Sequence, residues 1–314
     1  MVERLKVGVL MGGPSGEHEV SLNTGKNVLT ALNPEKFIGT PLILGEDLGL
    51  MTLDKKLKFP DDLANFDIIF NALHGEYGED GQIQYILEGL GVPYTGSGVE
   101  ASSVGMDKWK SDEVFKKGGL CVPNEELVVG DFKDSLNREF PLVVKPRSGG
   151  SSLGVFIVKD RMDLAKRIKD AREFDDEIII QKYITGREFT CPVLEMEEKL
   201  KALPIVEIKP KPQYVFFDYE AKYKSGASDE IVPAKINQGL ALEIQKSSIL
   251  AHKLLGCRIY SRTDFIWDGV KLYVLELNTL PGFTENSLVP KSAKAAGISF
   301  SRFIEIIIES SLRS

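Results

Sequence analysis

Residues 5–11, apolar apart from Lys6 and closed by Gly12-Gly13, constrain the fold more than any other stretch of the chain. A nearly unbroken apolar run ended by a glycine pair reads as a strand buried on both faces that feeds a loop. A second run, residues 66–73, ends at His74-Gly75. Residues 21–32 look helical. After the second run, Asp80 can cap a helix that carries Ile83, Ile86, Leu87 and Leu90 at i, i+3, i+4 and i+7, with Gly91 as its stop. Such strand–loop–helix units predict an α/β fold with a parallel sheet over residues 1–97. Ligands bind these sheets at the carboxyl ends of the strands, where both glycine-marked loops lie.

The pattern then changes. A helix over residues 99–117, strands at 141–145 and 155–158, a helix at 161–173 and a strand at 177–184 make a small α+β unit. Farther on, strands cluster at 188–195, 200–208, 258–267 and 270–278, around a helix near 239–255. Residues 209–230 hold two Lys-Pro pairs, several aromatics and Gly226 without clean periodicity, which reads as a long functional loop. The expected division is 1–97, 98–182 and 183–314, three domains for 314 residues.

Composition narrows the function. With 39 basic and 46 acidic residues the net charge is −7, and no long basic run is present, so neither nucleic acid nor an anionic membrane is the expected partner. Three widely spaced cysteines (Cys121, Cys191, Cys257) fit neither a disulfide framework nor a cysteine zinc site, and a reducing compartment follows. No apolar stretch approaches the roughly 18 residues of a membrane span, so the chain reads as cytoplasmic.

Several familiar chemistries are missing from the motifs. There is no G-x-x-x-x-G-K-[ST] loop, no G-x-S-x-G elbow, and His18, His74 and His252 lack metal-ligand spacing. Gly96-Ser97-Gly98 with Ala101 lacks a clear preceding strand and is a weak dinucleotide signal. The strongest pattern is Arg262-Thr263-Asp264 followed by Glu276-Leu277-Asn278. On strands, residues two apart share a face, so Arg262 and Asp264 project together, as do Glu276 and Asn278, with Leu275 and Leu277 behind. Two carboxylates and an amide oxygen are hard ligands suited to Mg²⁺; an ordinary polar strand face with cross-strand ion pairs is the bland alternative. A two-residue turn at Asp268-Gly269 would pair Asp264 with Tyr273 and send Glu276 to the opposite face. A shared metal therefore requires a three-residue connection with a left-handed glycine, or a bulge.

The loop Lys145-Pro146-Arg147-Ser148-Gly149-Gly150-Ser151-Ser152-Leu153-Gly154 lies between two strands. Its glycines let backbone N–H groups converge on an anion, with Ser151 and Ser152 as hydroxyl donors and Lys145 within reach. Gln181-Lys182-Tyr183-Ile184 ends a buried strand where extended backbone could read an adenine edge, although alone it resembles any core strand.

Taken in order, these residues resemble the D-alanine–D-alanine ligases of the ATP-grasp superfamily along nearly the whole chain. The resemblance runs through residues 12–21 and 74–81, Met106-Asp107-Lys108, the 145–154 loop, residues 218–223, Arg262-x-Asp264, and the segment from Glu276 to Leu288. It implies a three-domain ATP-grasp fold with an N-terminal parallel-sheet domain. ATP would lie between the central and C-terminal domains, and the enzyme would be a cytoplasmic homodimer, joined through the N-terminal domain, that makes D-alanyl-D-alanine for peptidoglycan. Lys108, Lys145, Ser151, Ser152, Lys222 and the Gln181–Ile184 segment match ATP contacts, with Gln181 standing where many relatives carry Glu, and Glu188 matches the ribose contact. Asp264, Glu276 and Asn278 match the ligands of two Mg²⁺ (or Mn²⁺) ions.

The chemistry implied has two steps. The first D-alanine's carboxylate attacks the γ-phosphate, and the second D-alanine's amine then attacks the acyl phosphate. Arg262 and the Gly282 N–H match the oxyanion donors, a contribution of roughly 3–4 kcal/mol each in comparable sites. Glu17 matches the partner of the first ammonium and His74 a neighbour of its carboxylate. Ser287 and the Leu288 N–H match the groups holding the second carboxylate. Ser151 and Tyr223 match residues that link Glu17 to a closing lid, residues 209–230. Tyr223 favours an amine as second nucleophile. A ligase using D-lactate or D-serine as second substrate, a nucleotide-binding regulator and a dehydrogenase are the competing readings, in that order.

Overall fold

The computed structural model describes residues 3–132, 138–150, 152–211, 228–284 and 287–313. Strands β1 (Leu5–Gly12), β2 (Phe37–Leu44), β3 (Leu50–Met51), β4 (Lys56–Leu57) and β5 (Ile68–Asn71) form the first sheet, in the order β4-β3-β2-β1-β5. β1 runs parallel to both β2 and β5, as the two apolar runs require. Alternation along β1 supplies two cores. Val7, Val9 and Met11 face one side, together with Val28 of helix α1 (His18–Ala31), while Leu10 faces the other with Ile83 and Leu87 of helix α2 (Gln82–Leu90). Helix α1 can approach β1 closely because Gly25 carries no side chain; a Cβ there would stand 2.7 Å from Met11. The N-cap of α2 is Gly81, at φ +100°, one residue later than expected. Asp80 still serves that end, because its carboxylate accepts from the backbone N–H of Gln82.

The expected helix over 99–117 is two helices, α3 (Val99–Met106) and α4 (Lys108–Lys117). They break at Asp107, whose extended backbone makes it the N-cap of α4, with its side chain accepting from Lys110 N. Phe115 of α4, with Val104 of α3 beside it, packs in a core with Phe189, Phe265, Val274 and Leu277 of the third sheet.

The second sheet is antiparallel, ordered β6 (Glu125–Val128), β9 (Ile178–Lys182), β7 (Leu142–Pro146), β8 (Phe156–Val158). Ile178 and Ile180 of β9 face helix α5 (Arg161–Ala171), whereas Ile179 and Gln181 take the opposite face. The third sheet is ordered β13 (Ser228–Ile231), β12 (Val206–Pro210), β10 (Arg187–Met196), β14 (Tyr260–Trp267), β15 (Leu272–Asn278), with β11 (Lys199–Ala202) also on β10. The single strand expected at 200–208 is thus two, β11 and β12, separated by Leu203-Pro204-Ile205. The irregular 209–230 segment begins and ends inside a ladder, Lys209 opposite Asp229; its residues 212–227 lie outside the described part. Helix α6 (Gln238–Leu254) packs on this sheet through Leu240, Ile244 and Ala251.

Two further helices, α7 (Leu288–Ala295) and α8 (Phe300–Ser311), close the molecule. Ser299 caps α8, and Phe303, Ile304, Ile307 and Ile308 bury themselves in a core shared by Val7, Val9 and Phe70 of the first sheet with Leu194 of β10 and Tyr260 of β14 in the third. Phe283 joins the two regions: its ring lies 5.8 Å from Phe70 of β5, 5.0 Å from Tyr260 of β14 and 5.6 Å from Phe303. Among the described residues no helix is long and apolar enough to cross a membrane.

Candidate active site

The β14–β15 hairpin decides whether the acidic residues can act together. Trp267 pairs with Leu272, and the connection between them, Asp268–Lys271, holds Gly269 at φ +102°. Continued regularly, that register would set Asp264 opposite Leu275 and turn Glu276 to the far face. Instead the ladder shifts between Asp264 and Phe265, so that Asp264 pairs with Glu276 and Arg262 with Asn278. This bulge meets the requirement for a shared site. It also moves Leu275, which does not pack behind the hairpin as the sequence pattern suggested. Leu277 is buried in the core there, while Leu275 and Glu276 both face a cleft.

That cleft lies between the second and third sheets and opens to solvent. The second sheet contributes Lys145 and Gln181, continued by Lys182, Tyr183 and Ile184. The third contributes Glu188, Asp264 and Glu276, and Lys108 and Ser152 complete the wall. Lys108 is placed by the α3–α4 break. Its backbone N–H donates to Arg147 O at 3.0 Å, and Arg147 in turn grips the Asp107 carboxylate through Nε at 2.8 Å and Nη2 at 2.6 Å. The Lys108 ammonium donates to the Gly149 carbonyl, bringing it onto the glycine loop. Ser152 sits in that loop at φ +58°. Ser151, Lys222 and Tyr223 lie outside the described residues.

Asp264 is held from three sides. Arg262 donates to both its oxygens, at 2.9 and 2.8 Å, Asn278 Nδ2 approaches Oδ2 at 3.4 Å, and the Thr190 hydroxyl donates to Oδ1. Thr190 is fully buried on β10, directly opposite Asp264 in the ladder. Local sequence gave no sign of it, because only the pairing of β10 with β14 brings it there. Two carboxylates and an amide on one cleft-facing hairpin fit a hard divalent cation that keeps water and phosphate oxygens in its shell. Among the described residues no group of three or more His, Cys, Asp or Glu side chains gathers, so the protein would supply only part of that shell.

A second set of residues gathers around the loops that follow β1 and β5. The loop after β1 is tied down by Ser21, whose hydroxyl accepts from Gly12 N at 2.8 Å and donates to Ala72 O at 2.8 Å. The loop delivers Glu17 to the N-cap position of α1, but the carboxylate does not cap the helix. It reaches instead toward two loops, with Oε2 lying 2.8 Å from where a Cβ on Gly75 would stand and 3.8 Å from one on Gly150. Glycine at 75, with φ +70°, leaves that room. His74 is buried, its Nε2 bonded to Thr24 Oγ1 at 2.9 Å and its Nδ1 3.5 Å from Glu79. A Cβ on Gly282 would meet His74 Cε1 at 3.9 Å and Ser287 Oγ at 3.2 Å, so these three residues converge. Ser287 is the N-cap residue of α7, which begins at Leu288, and its hydroxyl accepts from Thr284 N at 3.1 Å. The partners that fix His74, Thr24 and Glu79, also went unread in the sequence. Burial pushes the Cys191 and Cys257 thiols up to about 12, leaving neither a ready nucleophile.

Two antiparallel sheets clasping a cleft, with lysines and a glycine loop on one side and paired carboxylates on the other, define the ATP-grasp class of ligase. Comparison with known proteins specifies the branch. The family pattern described as D-ala D-ala ligase C-terminus matches residues 124–309, and that for the D-ala D-ala ligase N-terminus matches 6–55 and 49–97. A D-alanine--D-alanine ligase of Clostridium beijerinckii is 41% identical over 98% of this chain and 99% of its own, and one of Desulfotalea psychrophila is 42% identical over 98% and 95%. Among solved structures, the D-alanine--D-alanine ligase of Bacillus anthracis complexed with ATP superposes with a TM-score of 0.84 at 37% identity, covering 98% of each chain. The VanG D-Ala:D-Ser ligase of Enterococcus faecalis gives 0.83 at 28% identity, over 98% of this chain and all of its own. The chain belongs to the D-alanine–D-alanine ligase family.

Proposed function

We propose that this chain joins two D-alanine molecules into D-alanyl-D-alanine, converting ATP to ADP and phosphate through an acyl-phosphate intermediate. The observation that carries the reading is the β14–β15 bulge, which turns Asp264 and Glu276 toward one cleft, with Arg262 bonded to Asp264. In this reading Lys108, Lys145 and the 149–154 loop hold the phosphates, and Gln181–Ile184 with Glu188 hold the nucleoside. Glu17 meets the ammonium of the first D-alanine, and His74 lies beside its carboxylate. Ser287 with the Leu288 N–H receives the second carboxylate at a helix N-terminus, where N–H groups are unpaired and the helix dipole favours an anion.

Asp264, Glu276 and Asn278 would hold two divalent cations, which neutralise phosphate charge when bound. Arg262, bonded to Asp264, would donate also to the oxyanion formed when the second amine attacks, with the Gly282 N–H as the other donor. Sequestering that step from water protects the acyl phosphate from hydrolysis.

The test is phosphate release by purified enzyme supplied with ATP and Mg²⁺, with and without D-alanine, followed by product analysis in mixtures with D-serine or D-lactate. D-alanine-dependent release with dipeptide as the main product is expected, in keeping with Tyr223. Mainly mixed dipeptide or depsipeptide near neutral pH would assign the chain to the second-substrate variants. Release independent of D-alanine would end the ligase reading. The homodimer implied by the resemblance is tested by sedimentation.

A further inference from the structure

Gln181 lies between two groups of opposite hydrogen-bonding character. Its Nε2 donates to Glu125 Oε2 at 3.0 Å, and its Oε1 accepts from the Lys145 ammonium at 3.3 Å. A carboxylate only accepts and an ammonium only donates, so chemistry alone permits one orientation of the amide. The arrangement is built into the sheet, because Glu125 of β6 and Val143 of β7 both pair directly with Gln181 of β9, and Lys145 follows Val143 two residues later on the same face.

The lock is buried. Gln181 is 4% exposed and Lys145 7%, and the Glu125 side chain, fully inaccessible, is itself held by Lys116 Nζ at 2.9 Å. Burial pushes the neighbouring Asp112 carboxyl up. Lys145 and Gln181 line the cleft, whereas Glu125 stands behind them. The outward face of Gln181 is therefore an acceptor, with one lone pair of Oε1 on Lys145 and a second available to a ligand.

We infer that Glu125 sets the purine selectivity of the cleft: by locking the Gln181 amide with its oxygen toward the ligand, it admits a 6-amino purine and rejects a 6-oxo purine. The inference rests on the reading of the cleft as the nucleotide site. A 6-amino group donates to Oε1, whereas a 6-oxo group there would set oxygen against oxygen. Rotating the amide to greet it would set NH₂ against Lys145 and oxygen against the Glu125 carboxylate. Glu125 acts through Gln181 and is a positioning residue.

The experiment compares kcat/KM for ATP and for ITP, in which a 6-oxo group and an N1–H replace the 6-amino group and bare N1 of adenine, in the wild-type enzyme and in Glu125→Gln. The glutamine at 125 can accept or donate, so the Gln181 amide is freed to turn. The wild type is expected to favour ATP by about 100-fold, and the variant by about tenfold, in line with the exchange of one buried hydrogen bond for a mismatch. A wild-type preference below about threefold, or an unchanged ratio in the variant, overturns the proposal. Should Glu125→Gln fail to fold, Glu125→Gln with Lys116→Met, which removes the buried ion pair as a unit, carries the same comparison. Equilibrium binding of ATP to the wild type separates the two levels: no ATP binding would sink the nucleotide-site reading itself, whereas ATP binding without selectivity sinks only the lock.

Discussion

Asp264 and Glu276 stand opposite one another across the β14–β15 ladder because Leu275 is one residue more than a regular ladder would hold. Both carboxylates then face a single cleft, which neither sequence spacing nor hairpin length alone would arrange. Asp264→Asn keeps the shape but weakens the paired hydrogen bonds to Arg262 and removes the charge proposed to hold a cation. The expected outcome is a loss of ligase turnover of about 10²–10³-fold, with weaker Mn²⁺ binding by electron paramagnetic resonance. Wild-type Mn²⁺ affinity in this variant would remove Asp264 from the metal reading.

Thr190 holds Asp264 from behind through its buried hydroxyl. Thr190→Val is nearly the same shape and leaves one carboxylate oxygen without that donor. Partners of metal ligands typically contribute 10–100-fold to affinity or activity, so Mn²⁺ affinity should drop by about tenfold, while the melting temperature moves only by what about 1 kcal/mol allows. A large stability loss with unchanged metal affinity would make Thr190 structural only.

His252 is buried in α6, with Nδ1 2.8 Å from Ser261 Oγ, and burial lowers its pKa to about 4. The unfolded side chain titrates near 6.5. Between those values the unfolded chain binds a proton that the folded protein refuses, so stability falls as pH drops from about 6.5 to about 4 and is fully present above that window. The linkage amounts to about 3 kcal/mol over the whole window. Denaturant titrations at pH 7.5 and 4.5 should show His252→Gln losing less stability on acidification than the wild type; equal losses would contradict the assignment.

Phe303 connects packing to catalysis. It is fully buried against Phe283, and Phe283 directly follows Gly282, the proposed oxyanion donor. Phe303→Ala should cost about 3–5 kcal/mol of stability. It should also lower kcat even where the protein remains folded, because the Gly282 N–H depends on that ring for its position. Calorimetry and saturation kinetics at a temperature well below unfolding measure the two effects separately, and full kcat in a folded variant would count against the coupling.

Much of this molecule could be read from local patterns. Residues 5–11 and the glycines after them announced a parallel sheet, and the Arg262-x-Asp264 and Glu276-x-Asn278 spacing announced a shared polar face. The same spacing misled at Leu275, because period-two alternation assumes an unbroken ladder. Thr190 and Glu125 were silent in the sequence for another reason: each matters only through the strand it pairs with, and pairing partners 74 and 56 residues away leave no local trace. The closing helices differ again. Ser299 followed by Phe300, Phe303, Ile304, Ile307 and Ile308 carries a helix signal that went unread. What no pattern could convey is that this helix joins the core between the first and third sheets, since an apolar stripe is equally suited to any apolar surface.

That placement of α8 has a consequence for how the chain acquires its shape during synthesis. Val7, Val9 and Phe70 are made long before Phe303, Ile304 and Ile307, which share their core. Closing so long a loop is entropically costly, and the contacts that compensate it form only once both ends exist. A nascent chain therefore carries this core only partly covered, by α1, until residues 300–311 are made, and apolar surface exposed at that stage is prone to association. Chaperone demand during expression should accordingly respond more strongly to changes in residues 300–311 than their distance from the chemistry suggests.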